Sequence, residues 1–185
     1  AVRVDKLSLA TLGGRIEAEP FRFGMQEARN GIVLRPQSIQ LPFIMDLVEF
    51  EDIEITGSIS GVIPITINDM KPTINNGELQ SDPSGGVIRY RPGMGVADAG
   101  ASAAGLDLVT RALANFQFDS LTSNVEYREN GDLRLQMKLS GINPDMDDTR
   151  PVILNLDVQD NVPTLLRSLR AARSIEEILA RKAAE

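Results

Sequence analysis

The 185-residue chain has no cysteine, no histidine and no tryptophan. Without cysteine there is neither a disulfide framework nor a thiolate metal site, and the redox compartment is left open. Without histidine the commonest general base and the commonest zinc ligand go together, which excludes serine–histidine and cysteine–histidine mechanisms. Long apolar runs are missing as well: none approaches the roughly 20 residues that cross a bilayer as a helix. A basic excess is missing too. The net charge is −7 and the pI near 4.7, and no basic patch is large enough to neutralise a row of phosphates, so duplex nucleic acid is excluded as a partner.

What the chain has is 42% hydrophobic residues, enough for one domain of this length to fold without staples, and a persistent alternation. In NGDLRLQMKLSG, residues 130 to 141, Leu133, Leu135, Met137 and Leu139 fall on one side of an extended segment. Arg134, Gln136, Lys138 and Ser140 fall on the other. Such segments recur between turn residues. Val2, Val4, Leu7 and Leu9 open the series with a phase change at Lys6; Gly13-Gly14 turns the chain into RIEAEPFRF, and GIVLRP follows Asn30-Gly31. Ile53, Ile55 and Ile59 face one way in DIEITGSIS, as do Ile63, Ile65 and Ile67 in GVIPITIND. Pro64 marks an edge or a bulge there, because it has no N–H for a ladder. Asn76-Gly77 and Asn130-Gly131 are spelled alike, and each predicts a tight hairpin turn. FDSLTSNVEYRE and PVILNLDVQD read as later strands. The opening AVRVDKLSLA reads as strand rather than signal peptide, so the chain is expected to be a C-terminal piece of a longer protein whose anchor lies elsewhere.

Three helices interrupt the strands. Residues 38 to 49 carry Ile39, Phe43, Ile44, Leu47 and Val48 at helical spacing, with Ser38 as cap and Pro42 near the start. A Gly/Ala-rich loop leads into a second helix striped by Leu106, Val109, Ala112 and Leu113. Asn161 caps an amphipathic C-terminal helix with Pro163 in its first turn and an apolar face from Leu165 to Leu179. The chain thus divides, within one domain, into a β-rich part at 1–92 containing the 38–49 helix, the Gly/Ala-rich loop and helix at 93–115, strands at 116–160 and the terminal helix at 162–183.

Several stretches invite a chemical reading and fail it. Asp145, Asp147 and Asp148 lack the glycine and distal glutamate of a calcium loop, and read as solvated. GMGVAD has Asp98 where a third glycine would meet a pyrophosphate, and SGGVIRY has no Lys-Ser/Thr after its glycines. Glu51, Asp52 and Glu54 lie where alternation gives the latter two a polar face, without the burial that shifts a pKa. Arg167, Arg170 and Arg173 read as a mixed-charge helix face rather than a membrane surface. The alternating strands remain. Their period on general grounds favours a closed β core binding protein partners only, but pattern does not distinguish this from an open sheet whose apolar side is covered by lipid.

The wording of the sequence adds to its period. GSISGVIPITIND, NNGELQSDPSGGVIRYRPG and the run from NFQFDSLTSNVEYRENG through SGINPDMDDTRPVILNLDVQDNVPTLLRSLR resemble the C-terminal region of YdbH-like proteins, within the AsmA-like bridge proteins of Gram-negative envelopes. The likeness covers roughly residues 50 to 175. It implies a mainly β fold, with a twisted antiparallel sheet forming an open hydrophobic groove, inside a long periplasmic protein anchored in the inner membrane by an N-terminal segment. Phospholipid would travel along the groove to the outer membrane, where a small lipoprotein of the YnbE type would join the sheet by adding strands. No catalysis, cofactor or metal is implied. The groove lining would comprise Ile53, Ile55, Ile63, Ile65, Leu133, Leu135, Met137, Leu139, Val152, Leu154, Leu156 and Val158. PVILNLDV, with Val152, Ile153, Leu154, Asn155, Leu156 and Asp157, would be the edge that takes the partner strand.

Overall fold

A computed structural model of the chain describes residues 1–24, 27, 29–48, 52–91, 103–146 and 151–164. In chain order, β1 (Val2–Val4), β2 (Leu7–Thr11), β3 (Gly14–Ala18), β4 (Phe21–Phe23), β5 (Arg29–Gln37) and β6 (Ile39–Gln40) precede helix α1 (Leu41–Val48). Then come β7 (Ile53–Ile55), β8 (Ser58–Asn68), β9 (Lys71–Ser81), β10 (Gly86–Tyr90) and α2 (Ala103–Leu113). Strands β11 (Phe116–Tyr127), β12 (Asp132–Ile142) and β13 (Val152–Asn161) follow.

Nearly all strands join one antiparallel sheet, in the order β13-β12-β11-β9-β8-β5-β3-β2, with β10 beside β11, β7 beside β10 and β6 beside β8. β1 and β4 form a separate pair. β2–β3, β8–β9, β11–β12 and β12–β13 pair as sequence neighbours, other elements intervene between β3 and β5, β5 and β8, and β9 and β11, and the sheet extends in one direction along the chain. β2 and β13 end up at opposite edges, and the sheet is not closed into a barrel. Among the described residues the strands therefore do not close into the barrel that periodicity also allowed.

Turn chemistry departs from the sequence reading. The β2–β3 turn is made by Leu12 (φ 52°) and Gly13 (φ 72°), one residue earlier than Gly13-Gly14 suggested, and the β8–β9 turn by Asp69 (φ 47°) and Met70 (φ 65°). Both central residues have positive φ, the geometry that follows the twist of the strands. Asn76-Gly77 is not a turn. It lies inside β9, where Asn76 has φ 57° and an extra residue enters the ladder between the Val125–Gly77 and Tyr127–Ile74 pairs. Asparagine accepts positive φ as readily in a bulge as in a turn. Pro64 sits within the same irregularity, between Val62 and Ile65 of the β8–β9 register, so the missing N–H falls at a bulge. Asn130-Gly131 does turn the chain: Gly131 (φ 91°) donates its N–H to the Arg128 carbonyl at 2.9 Å, and Arg128 donates to Asp132 at 2.9 Å.

The core gathers Ile39, Leu41, Ile59, Ile88, Phe116, Phe118, Leu121 and Leu139 at one end of the long strands. There α1 packs on β7 and α2 on β10. Helix α1 begins at Leu41 rather than Ser38, because Ser38 takes φ 48° and Ile39–Gln40 first pair with β8. In α2, Ala112 is buried and Leu113 half-buried, but Val109 is exposed. The helix is held by its last turn, where the Asn143 amide donates to the carbonyls of Arg111 at 2.8 Å and Ala112 at 3.1 Å. Asn161 caps the terminal helix as its sequence suggests, accepting the Thr164 N–H at 3.1 Å. That helix beyond Thr164, the 93–102 loop and the side chain of Leu106 lie outside the described residues.

Candidate functional site

Partners in an antiparallel ladder point to the same face, so the registers trace one surface across the sheet. On β12, Leu139 lies opposite Leu121 and Leu154, Met137 opposite Ser123 and Leu156, Leu135 opposite Val125 and Val158, and Leu133 opposite Tyr127. The face passes to Leu79 and Ile74 of β9 and on to Ile65 of β8. It continues through Ile65–Ile32 and Ile63–Leu34, then Leu34–Ala18 and Pro36–Ile16, to Leu7 and Leu9 of β2. At the covered end, Ile88–Ile55 and Tyr90–Ile53 join it through the Ile88–Phe116 pair. All twelve residues marked by the sequence as lining share this face, and it is apolar almost without interruption from β2 to β13.

Cover over that face is uneven. Leu139 is 1% exposed and Phe116 fully buried, both parts of the core. Ile53, Ile55, Met137, Val152, Leu154 and Leu156 pack along its margin. Ile63, Ile65, Leu133 and Leu135 are half-buried outside that cluster, and Val158 is exposed. The described residues form no second sheet besides the β1–β4 pair, and their helices make their main contacts at β7 and β10. Sequence reasoning missed Ile32, Leu34, Ile74, Leu79 and Val125 on the same face. Ile74 could not be found from alternation, because the β9 bulge shifts its phase; Ile32 and Leu34 were obscured by the apolar Val33 between them.

The opposite face is polar. Arg134 Nε donates to Asp157 at 3.0 Å, and Arg35 Nε donates to Glu19 at 2.8 Å. The hydrogen bond from Arg134 holds the Asp157 carboxyl below its ordinary range. Gln80, Thr122, Asn124, Gln136, Lys138 and Asn155 help line a shallow depression of about 660 Å³. Glu54 is exposed in β7, and Asp145 accepts from the Asn115 amide at 2.8 Å. Glu51, Asp98, Asp147, Asp148, Arg167, Arg170 and Arg173 lie outside the described residues. Among the described residues no three His, Cys, Asp or Glu side chains converge on one point. The arrangement offers a large surface for non-directional apolar contact and, among the described residues, no assembled set of acid, base and nucleophile.

The edge has a definite backbone pattern. Val162 donates its N–H to the Gly131 carbonyl at 3.0 Å, and the β12–β13 register runs unbroken from there. Hydrogen-bonded and open pairs alternate in such a ladder. Val158, Leu156 and Leu154 therefore turn their N–H and C=O groups toward β12, and Ile153, Asn155, Asp157 and Gln159 turn theirs away. Among the described residues no strand pairs with that outer side.

Residues 1–184 match the family described as YdbH-like, intermembrane phospholipid transport protein YdbH, and the chain belongs to that family. No curated protein and no solved structure matches the chain. Membership gives the function in its coarse form, transport of phospholipid between two membranes, and with it a periplasmic location. Among the described residues no helix is long and apolar enough to cross a membrane.

Proposed function

We propose that this YdbH-like chain conducts phospholipid by letting acyl chains complete the cover of its apolar face while the headgroups stay in water. The observation that carries the reading is the continuity of that face from β2 to β13, with the described helices gathered at one end of the strands. Ile53, Ile55, Ile63, Ile65, Leu133, Leu135, Met137, Val152, Leu154, Leu156 and Val158 line the path, with Leu139 at its floor. Hydrocarbon removed from water is stabilised by about 25 cal/mol per Å². An acyl chain advancing by one strand spacing, about 4.8 Å, loses contacts behind it and gains similar ones ahead. Movement along the face is therefore nearly level in free energy, although binding to it is favourable.

The test is photocrosslinking in the full-length protein in cells. A crosslinker at Leu133 should capture phospholipid, and acidic residues at both Leu135 and Leu156 should abolish the capture. Undiminished capture in that double variant, or a detergent-free protein with no lipid in native mass spectra, refutes the conduit.

We also place the chain at the C-terminal end of the full-length protein, near the outer membrane and remote from an N-terminal inner-membrane anchor. There β13 would accept a strand from a small lipoprotein of the YnbE type. Its support is the position of β13 at the end of the sheet and the outward N–H of Asn155. Asn155→Pro removes that donor and should abolish co-purification of the lipoprotein; full retention would move the docking edge elsewhere.

A further inference from the structure

On the polar face of β12 and β13, two positions break the pattern. That face carries Asp132, Arg134, Gln136, Lys138 and Ser140 on β12, followed by Ile142, and Ile153 followed by Asn155, Asp157, Gln159 and Asn161 on β13. Ile153 pairs with Ser140, which makes Ile142 its diagonal neighbour, within side-chain reach across a ladder. Ile153 is 58% exposed and Ile142 37%. They form a small apolar spot on the side opposite the lining, at the outermost strand of the sheet.

Its position relative to the backbone gives it meaning. Ile153 is one of the residues whose N–H and C=O point away from β12. An added strand would form a hydrogen-bonded pair with it, placing a side chain on the same face at a Cα separation of about 5.5 Å. Farther along, Asn155 and Asp157 are also outward-facing in the backbone, but their side chains are polar, and Asp157 is already held by Arg134.

We infer that Ile153, flanked by Ile142, is the side-chain anchor for the strand that adds to β13, and that this strand carries a large apolar residue on the polar-face side opposite Ile153. The inference rests on the docking reading above and specifies its register and the chemistry of its occupant. The partner is an extended segment that is apolar on both faces where it meets Ile153. Beyond that point it is amphipathic, apolar toward Leu154 and Leu156 and polar toward Asn155 and Asp157. An edge ladder alone accepts almost any extended chain; an apolar contact at one end fixes which residue sits where, as anchors at the centre of an interface do.

The experiment uses the whole chain and two short fluorescent peptides of palindromic pattern, so that either strand direction can be adopted. One has isoleucine at the position set against Ile153, the other serine. The isoleucine peptide should slow amide exchange at Ile153, Asn155, Asp157 and Gln159, which an adjacent strand alone can protect. The serine peptide, or Ile153→Ser in the chain, should bind about tenfold more weakly, while Ile153→Val should keep most of the affinity. Because Ile153 is largely exposed, the serine variant should melt within about 2 °C of the parent. Equal binding of both peptides to parent and Ile153→Ser, with Asn155→Pro still weakening it, overturns the anchor and leaves the edge standing. Binding untouched by Asn155→Pro as well overturns both.

Discussion

Leu135 and Leu139 are four residues apart on one strand, point to one face and are the same amino acid, yet Leu139 is sealed in the core and Leu135 is half-buried beyond it. The contrast runs along the long strands, with Val125 and Ala18 as buried exceptions outside the core cluster. At the end where α1 meets β7 and α2 meets β10, the chain encloses its own aliphatic groups around Phe116 and Phe118. Toward the Asp69–Met70 and Asn130–Gly131 turns, the same face continues outside the core cluster. Alternation thus builds the face, and among the described residues the placement of a few short elements decides which part of it joins the folding core.

The sharpest way to break this comparison is to hollow out each half. Phe116→Ala should cost about 3–5 kcal/mol of unfolding free energy, whereas Leu135→Ala should cost about 1 kcal/mol in lipid-free protein, because less area is removed from water there. Equal costs in urea titrations would mean that both halves are ordinary core. Phospholipid then sharpens the contrast. At about ten times its Kd it should stabilise the parent by about 1.4 kcal/mol and leave a variant with aspartate at both Leu135 and Leu156 unmoved; a matching rise in melting temperature in both proteins would place the lipid elsewhere.

A smaller effect tests how the covered end is fastened. Ser58 and Ser60 donate their hydroxyls to Asp82, the latter at 2.7 Å, and the Asp82 N–H donates to the Ser58 carbonyl at 2.9 Å, tying β8 to the end of β9. Burial pushes the Asp82 carboxyl up, but the hydrogen bonds from Ser58, Ser60 and Ser38 outweigh it and leave the carboxyl below its ordinary value. A depressed folded pKa means stability that is present above the unfolded value, about 3.9, and lost as pH falls through the folded one. Stability of the parent should decline more steeply than that of Asp82→Asn on acidification below about pH 4; parallel curves would remove Asp82 from the account. The smallest effect lies at the other end. Met70 is 76% exposed at φ 65°, so Met70→Gly relieves a left-handed side chain at the expense of unfolded-state entropy. The net gain should be about 0.5 kcal/mol, read as a higher urea midpoint; a loss would mean that the methionine packs against something.

The faces were legible in the sequence because a strand's period is two: LRLQMKL and VILNLDV announce which side chains go together without any knowledge of neighbours. Strand order was not legible, since nothing in residues 133 to 139 says that β11 lies on one side and β13 on the other. Turns were misread where their chemistry is shared. Asn76-Gly77 has the spelling of a hairpin but serves a bulge, and Asp69-Met70 lacks that spelling but makes the hairpin, held by the long β8–β9 ladder on either side. Helix α2 shows another limit: its stripe gave Ala112 and Leu113 correctly, but Val109 is exposed, and the side-chain hydrogen bonds from Asn143 that fasten the helix reach its last turn, at Arg111 and Ala112.

The bulge in β9 has an arithmetical side. Toward its C-terminal end the strand shows the apolar surface its odd-numbered residues, Gly77 and Leu79, and toward its start the even-numbered ones, Ile74 and Pro72. One surplus residue resets the count in mid-strand. Shortening the chain by a single amino acid between Ile74 and Gly77 would remove little mass, yet it would turn Ile74 to the other face and leave a polar notch in the middle of the apolar surface. A frame of one, kept at Asn75–Asn76, holds both halves of that strand in step with the sheet.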